Sequence, residues 1–132
     1  MKKLNRESYS TPILFLIFNR PAISRKVFSQ IRKIKPSHLF IAADGPRPQK
    51  PDDKFLCTET RKIVDEIDWK CEVKTLIKKK NMGCGPAVCS AINWFFEQVE
   101  EGIILEDDCF PDLSFFNFCN ELLEKYRHDE QV

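Results

Sequence analysis

Ile13-Leu14-Phe15-Leu16-Ile17-Phe18 is an unbroken apolar run, and Pro21 after it opens a stretch in which Ile23, Val27, Ile31 and Ile34 recur at helical spacing. An apolar run of this kind suits a parallel strand covered on both faces, and the spacing beyond it marks one face of an α-helix. Pro36 stops that helix. The alternation then repeats. Leu39-Phe40-Ile41-Ala42-Ala43 reads as a second strand closing at Asp44-Gly45-Pro46, and a proline-rich loop leads to a helix carrying Leu56, Ile63, Val64 and Ile67. Cys71, Val73, Thr75 and Ile77 alternate as a third, more exposed strand. Asn81-Met82-Gly83-Cys84-Gly85-Pro86 makes a turn, with Pro86 expected at a first helical position. Val88, Ile92, Phe95 and Val99 form the inner stripe of the next helix, which Gly102 is expected to end. Ile103-Ile104-Leu105 is the fourth strand. Asp112 or Ser114 caps a last helix with Phe115, Phe118, Cys119, Leu122 and Tyr126 inside. The order βαβαβαβα predicts an α/β fold, a Rossmann-like parallel sheet with helices on both faces and right-handed crossovers.

The chain has 132 residues, which makes one domain able to bury roughly two thirds of its unfolded surface. Lys+Arg is 21 and Asp+Glu is 20, for a net charge of +1, a balance that argues against a chain built to coat nucleic acid or an anionic membrane. The 11 phenylalanines fall mostly in apolar phase and read as core. The 6 cysteines show no CxxC pair and no histidine at ligand spacing, which speaks against zinc and for reduced thiols. Met1-Lys2-Lys3 is basic, but Leu4 to Ser10 is polar and Ile13 to Phe18 is too short for a signal core or a membrane span. The expectation is a cytoplasmic protein with no integral membrane segment.

The fourth strand runs into Glu106-Asp107-Asp108. Like charges at a core boundary each need solvent or a partner. Alternation along extended backbone sends Glu106 and Asp108 to one side and Asp107 to the other. Two carboxylates converging from one side make a hard-oxygen site for Mg²⁺ or Mn²⁺. A solvated acidic turn is the plain alternative.

In such sheets ligands bind beyond the carboxyl ends of the strands, where strand order reverses. The chemically unusual residues all fall there: Asn19-Arg20 after strand one, Asp44-Gly45 after strand two, Asn81 after strand three and the acidic triplet after strand four. In the order 3-2-1-4 strands one and four are neighbours, which brings Arg20 beside the triplet. Lys78-Lys79-Lys80 would add cations near the rim, and Gly83 and Gly85 could offer backbone N–H groups to an anion. There is no glycine-rich turn after strand one and no GxxxxGK[ST], so neither a dinucleotide-binding domain nor a P-loop enzyme is expected.

Phe18-Asn19-Arg20-Pro21, Ala43-Asp44-Gly45, Asn81-x-Gly83, and Leu105-Glu106-Asp107-Asp108 followed by Pro111-Asp112-x-x-Phe115-Phe116 resemble the GT-A glycosyltransferases (nucleotide-diphospho-sugar transferases). The pattern is most similar to the N-acetylglucosaminyltransferase I family and its bacterial relatives, and it covers about Pro12 to Tyr126. The resemblance implies that Arg20 and Asp44 contact the uracil or ribose of a UDP-sugar, with Asn19 beside them and Asn81 close to the same nucleoside. It implies that Glu106-Asp107-Asp108 stands in for the DxD motif, with Asp108 the direct ligand of Mn²⁺ or Mg²⁺ and the other two bonding ribose and sugar. Members of that family run considerably longer than this chain, and the part after the acidic motif supplies the acceptor site and the base of inverting members. Residues 1–132 are therefore expected to be the donor-binding, N-terminal half, with its acceptor and catalytic residue unknown and an exposed strand edge open to self-association. Two other readings stay open: a metal-dependent phosphotransfer or nuclease-type domain, and an interaction module whose acidic rim binds a basic partner.

Overall fold

Strand β1 (Ile13–Ile17) runs through the middle of the sheet, and all but one of its residues are buried. The other elements, in chain order, are α1 (Pro21–Ile34), β2 (His38–Ala43), α2 (Asp53–Arg61), a 3-10 turn (Lys62–Glu66), β3 (Glu72–Ile77), α3 (Cys84–Phe96), β4 (Ile103–Glu106) and α4 (Leu113–Tyr126). They come from a computed structural model that describes residues 9–132. The basic Met1-Lys2-Lys3 and most of the polar segment after it lie outside the described residues. No helix among those described is long and apolar enough to cross a membrane.

The four strands form one parallel sheet in the order β3-β2-β1-β4, as the alternating periodicities predict. Ile13 pairs with both Leu39 and Ile103, and Leu16 with Ala42 and Glu106, so the strands end together at one edge. The side chains of Ile13, Phe15 and Ile17 point to one face, where Val27, Phe28 and Ile31 of α1, Ile63 of the 3-10 turn and Phe116 of α4 cover them. Leu14, Phe40 and Ala42 point to the other, where Ala91 and Phe95 of α3 close a smaller cluster. The chain steps outward from β1 to β2 to β3 through helices on the first face and returns to β4 through α3 on the second. A constant hand of crossover requires that change of face.

Several local expectations need correction. Ile23 is 43% exposed, because α1 turns Ser24, Val27, Phe28 and Ile31 toward the sheet instead. In α4 it is Phe116 that is fully buried, packed edge-on to Tyr9, whose hydroxyl donates to the Phe116 carbonyl at 2.7 Å. Phe118 is 55% exposed, and Leu122 also faces outward. The expected second helix is two pieces, with Ile63 and Val64 in the 3-10 turn rather than in α2. The N-cap of α3 is Gly83, at a φ of 89° that glycine tolerates, so Pro86 is in the first turn but not its first residue.

Gly102 does not end α3, which stops at Phe96. Its hydrogen is required by packing: a Cβ there would lie 2.4 Å from the Phe95 ring and 2.9 Å from the Pro12 carbonyl oxygen. Phe95 is fully buried against Phe40, with ring centroids 4.9 Å apart, so it has nowhere to retreat. As expected, Asp112 caps α4, its carboxylate accepting from the Ser114 N–H at 2.9 Å.

Candidate functional site

Beyond the carboxyl ends of the strands lies a cavity of about 450 Å³. Leu16, Ala42 and Leu76 of the sheet and Ala87, Val88 and Ala91 of α3 give it apolar walls. Polar groups from the loops after all four strands rim it: Arg20, Asp44 and Arg47, Lys78 and Asn81, and Glu106 to Asp108. A mostly apolar hollow with a few placed polar groups is the usual form of a small-molecule site.

Arg20 does sit beside the acidic triplet. Its Nη2 donates to Asp107 Oδ1 at 2.5 Å and its Nε to Oδ2 at 3.3 Å, a two-pronged pair. The same Nη2 lies 3.6 Å from Asp108. Hydrogen bonding to Asp107 raises the guanidinium above its ordinary pKa, with the Asp107 and Asp108 charges adding to the effect and partial burial opposing it. Asp107 is buried while Glu106 and Asp108 are exposed; Glu106 ends β4, and the two aspartates lie in a turn that the Cys109 N–H closes on the Glu106 carbonyl at 3.2 Å. Asp107 is thus engaged by Arg20, which leaves Glu106 and Asp108 facing outward together.

Ligand atoms of Glu106, Asp108 and Cys109 lie within 4.8 Å of one another, all three residues exposed. The two carboxylates are the hard oxygen donors that Mg²⁺ or Mn²⁺ takes, so this corner fits such an ion. The thiol beside them is 3.7 Å from Asp108 Oδ1, and local desolvation, followed by the neighbouring carboxylates, pushes it up from its ordinary value. It therefore stays protonated at neutral pH and adds little as a soft ligand.

Asp44 organises the opposite loop. Its Oδ1 accepts from the N–H groups of Gly45 and Met82, each at 2.8 Å. Its Oδ2 accepts from Gly83 N–H at 3.1 Å and Asn81 Nδ2 at 3.0 Å. Asn81 Nδ2 also donates to the Gly45 carbonyl at 2.8 Å. Both side chains line the cavity, yet much of their hydrogen-bonding capacity goes to each other and to the β3–α3 loop. The Gly83 N–H, suggested by sequence as an anion donor, is taken by Asp44.

Asn19 falls apart from the rest. It does not line the cavity; its Nδ2 donates to Asp53 Oδ1 at 2.9 Å. Asp53, the first residue of α2, also binds the Arg47 guanidinium, with Nε to Oδ2 at 2.6 Å and Nη2 to Oδ1 at 2.9 Å. These bonds, above all those from Arg47, hold its carboxyl far below the ordinary range. Arg61 braces the rim from behind, its Nη2 donating to the carbonyls of Asp44 at 3.0 Å and Lys78 at 2.9 Å.

Of the residues singled out by sequence, Arg20, Asp44, Asn81, Glu106, Asp107 and Asp108 meet at one cavity, as does Lys78. Arg47, Asp53 and Arg61 were not singled out. Arg47 lies between two prolines and Asp53 reads as an ordinary helix start; only the side-chain bonds across the loop give them away. Comparison with protein-family models, with curated proteins and with solved structures yielded no match.

Proposed function

We propose that this chain is the donor-binding half of a GT-A glycosyltransferase, taking a nucleotide-diphospho-sugar, with UDP as the first candidate, together with Mn²⁺ or Mg²⁺. The observation that carries the reading is the convergence of Arg20, Asp44, Asn81 and the acidic triplet on one cavity at the carboxyl ends of a parallel sheet. The apolar walls suit a flat base, and the polar rim suits the charged remainder of such a ligand.

Glu106 and Asp108 would hold the ion, which when bound neutralises the diphosphate leaving group as the sugar–phosphate bond breaks. Arg20 fixes Asp107, and through that pair the strand end from which the two outward carboxylates project. Asp44 and Asn81 hold the β3–α3 loop against the cavity and turn it into a formed wall. Leu16, Ala87 and Val88 keep water from the interior wall. The chain's part is binding and orientation, and the acceptor would be met by residues outside the cavity described.

Calorimetric titration with UDP, GDP and ADP, with and without Mn²⁺, tests the reading alongside Asp108→Asn. Manganese-dependent binding of UDP that the substitution abolishes is the expected result. Nucleotide binding indifferent to metal and to Asp108 would refute the role given to the acidic rim. Release of inorganic phosphate from the nucleotide during the titration would favour a phosphotransfer enzyme instead.

A further inference from the structure

Arg47 and Asp53 form a unit that the acidic rim does not involve. Asp53 has a side chain only 3% exposed, and both of its oxygens are occupied. Oδ2 accepts from Arg47 Nε and from the Arg47 backbone N–H at 3.1 Å, and Oδ1 accepts from Arg47 Nη2 and Asn19 Nδ2. A buried carboxylate that meets a guanidinium through both oxygens fixes its plane as well as its position. The Arg47 guanidinium also lies over the Phe18 ring, 5.5 Å from its centroid, which restrains it from a second direction.

This restrained cation is not buried. Its side chain is 37% exposed and lines the cavity, and Nη1 makes no hydrogen bond among the described residues. The cavity's other cations differ. Arg20 is committed to Asp107 with Asp108 close by, so its charge answers the acidic rim. Lys78 lines the cavity on a flexible stem, and its ammonium has no partner among the described residues. Arg20 is likewise held through Nε and Nη2, but two carboxylates, Asp107 and Asp108, compensate its charge, whereas Arg47 has Asp53 alone and presents an oriented Nη1 with no hydrogen bond among the described residues. It follows β2, whereas Glu106 and Asp108 follow β4, with β1 between them.

We propose that Arg47 recognises phosphate oxygens in this cavity, with Asp53 as its positioning residue and Asn19 holding Asp53. The ligand class is a diphosphate, reached by Arg47 from the β2 side and by a cation on Glu106 and Asp108 from the β4 side. Asn19 then serves the site through Asp53 and makes no contact of its own. The identity of the ligand as a nucleotide rests on the donor reading above; recognition of the anion rests on the geometry of Arg47.

The test is titration of inorganic pyrophosphate, and separately of UDP, in the presence of Mg²⁺. The chains compared are the unaltered protein, Arg47→Met, Arg47→Lys, Asp53→Asn and the double variant Arg47→Met/Asp53→Asn, with circular dichroism reporting the fold of each. Arg47→Met should weaken pyrophosphate binding roughly ten- to a hundredfold, the span of a hydrogen bond to a charged group. Arg47→Lys should recover little of it, because a lysine cannot bridge both Asp53 oxygens. Asp53→Asn should weaken binding while adding nothing in the Arg47→Met background, a non-additivity that a merely structural role would not produce. If Asp53→Asn fails to fold, the Met and Lys pair carries the test. Pyrophosphate binding without UDP binding would sustain the Arg47 assignment and sink the nucleotide reading. No pyrophosphate binding by the unaltered chain, or binding changed less than about twofold by Arg47→Met, would overturn the assignment.

Discussion

Gly45→Ala tests the idea that the cavity rim is built by close backbone approach. An alanine Cβ at this position would lie 2.4 Å from the Lys80 carbonyl carbon, 2.7 Å from its oxygen and 2.8 Å from Asn81 N. These are backbone atoms, so no side chain can rotate aside. To regain an ordinary contact of 3.4 Å from the present 2.4 Å, the start of the β3–α3 loop must retreat by about 1 Å. That movement draws Asn81 from the Gly45 carbonyl and the Met82 and Gly83 N–H groups from Asp44. Overpacking of this kind costs about 1–3 kcal/mol, and each hydrogen bond lost adds about 1 kcal/mol. With partial relaxation the expected destabilisation is about 2–4 kcal/mol, which moves a urea midpoint by about 1–2 M at the slopes usual for small domains. Gly85→Ala is the control. Nothing lies within 4 Å of the Cβ added there, and the position is helical, so this variant should hold or gain up to about 1 kcal/mol. Urea unfolding followed by circular dichroism measures both. A Gly45→Ala midpoint within experimental scatter of the parent, or an equal loss in Gly85→Ala, would refute the argument.

Three further outcomes are expected. Gly102→Ala, which presses on the buried Phe95 ring, should cost about 1–3 kcal/mol in the same unfolding assay, and pairing it with Phe95→Leu should recover part of that loss if the ring is the obstacle. Asp53 has a depressed pKa in the folded chain, so its stabilisation is fully present above the ordinary carboxylate value of 3.8 and is lost as pH falls through the lower folded value. The stability gap between the parent and Asp53→Asn should therefore narrow below pH 3.8, and a gap that stays constant through that range would contradict the Arg47 pairing. Tyr9 is pushed up from 10.0 to about 12, first by burial and then by Cys119, so stability should decline as pH rises between those values. In ultraviolet titration of phenolate, Tyr9→Phe should delete a transition near pH 12; deletion of one near 10.0 would show that the phenol is not desolvated.

The sheet was legible because its information is local and redundant. The run Ile13 to Phe18 and the stripe of α1 announce strand and helix through different periods, and four such alternations leave few topologies to choose among. Arg20 beside the acidic triplet followed from strand order, with no side-chain detail needed; that Asp107 is its partner did not. What sequence could not convey is which arc of a helix meets the sheet. Phe116 and Phe118 are equally apolar and differ in burial only because α4 settles on the side of Tyr9. Gly102 was misread because a glycine after a helix usually ends it, whereas here its missing side chain makes room for a ring. The Arg47–Asp53 pair was hidden for a third reason. Within a loop, the partner of a charge depends on how the chain folds back, and the prolines around Arg47 show only that it turns.

The unequal covering of the two sheet faces separates permanence from access. The first face carries the larger cluster and helices from three parts of the chain, so most of the free energy of folding is concentrated there. The cavity lies under α3 on the second face, where Ala91 and Phe95 are the helix's only fully buried residues. Local opening of α3 exposes the smaller cluster of Leu14, Phe40, Ala42, Ala91 and Phe95 and leaves the larger one untouched. Amides of α3 should accordingly exchange with solvent well before those of β1. The wall beside the cavity is thus not the one that holds the larger part of the core together.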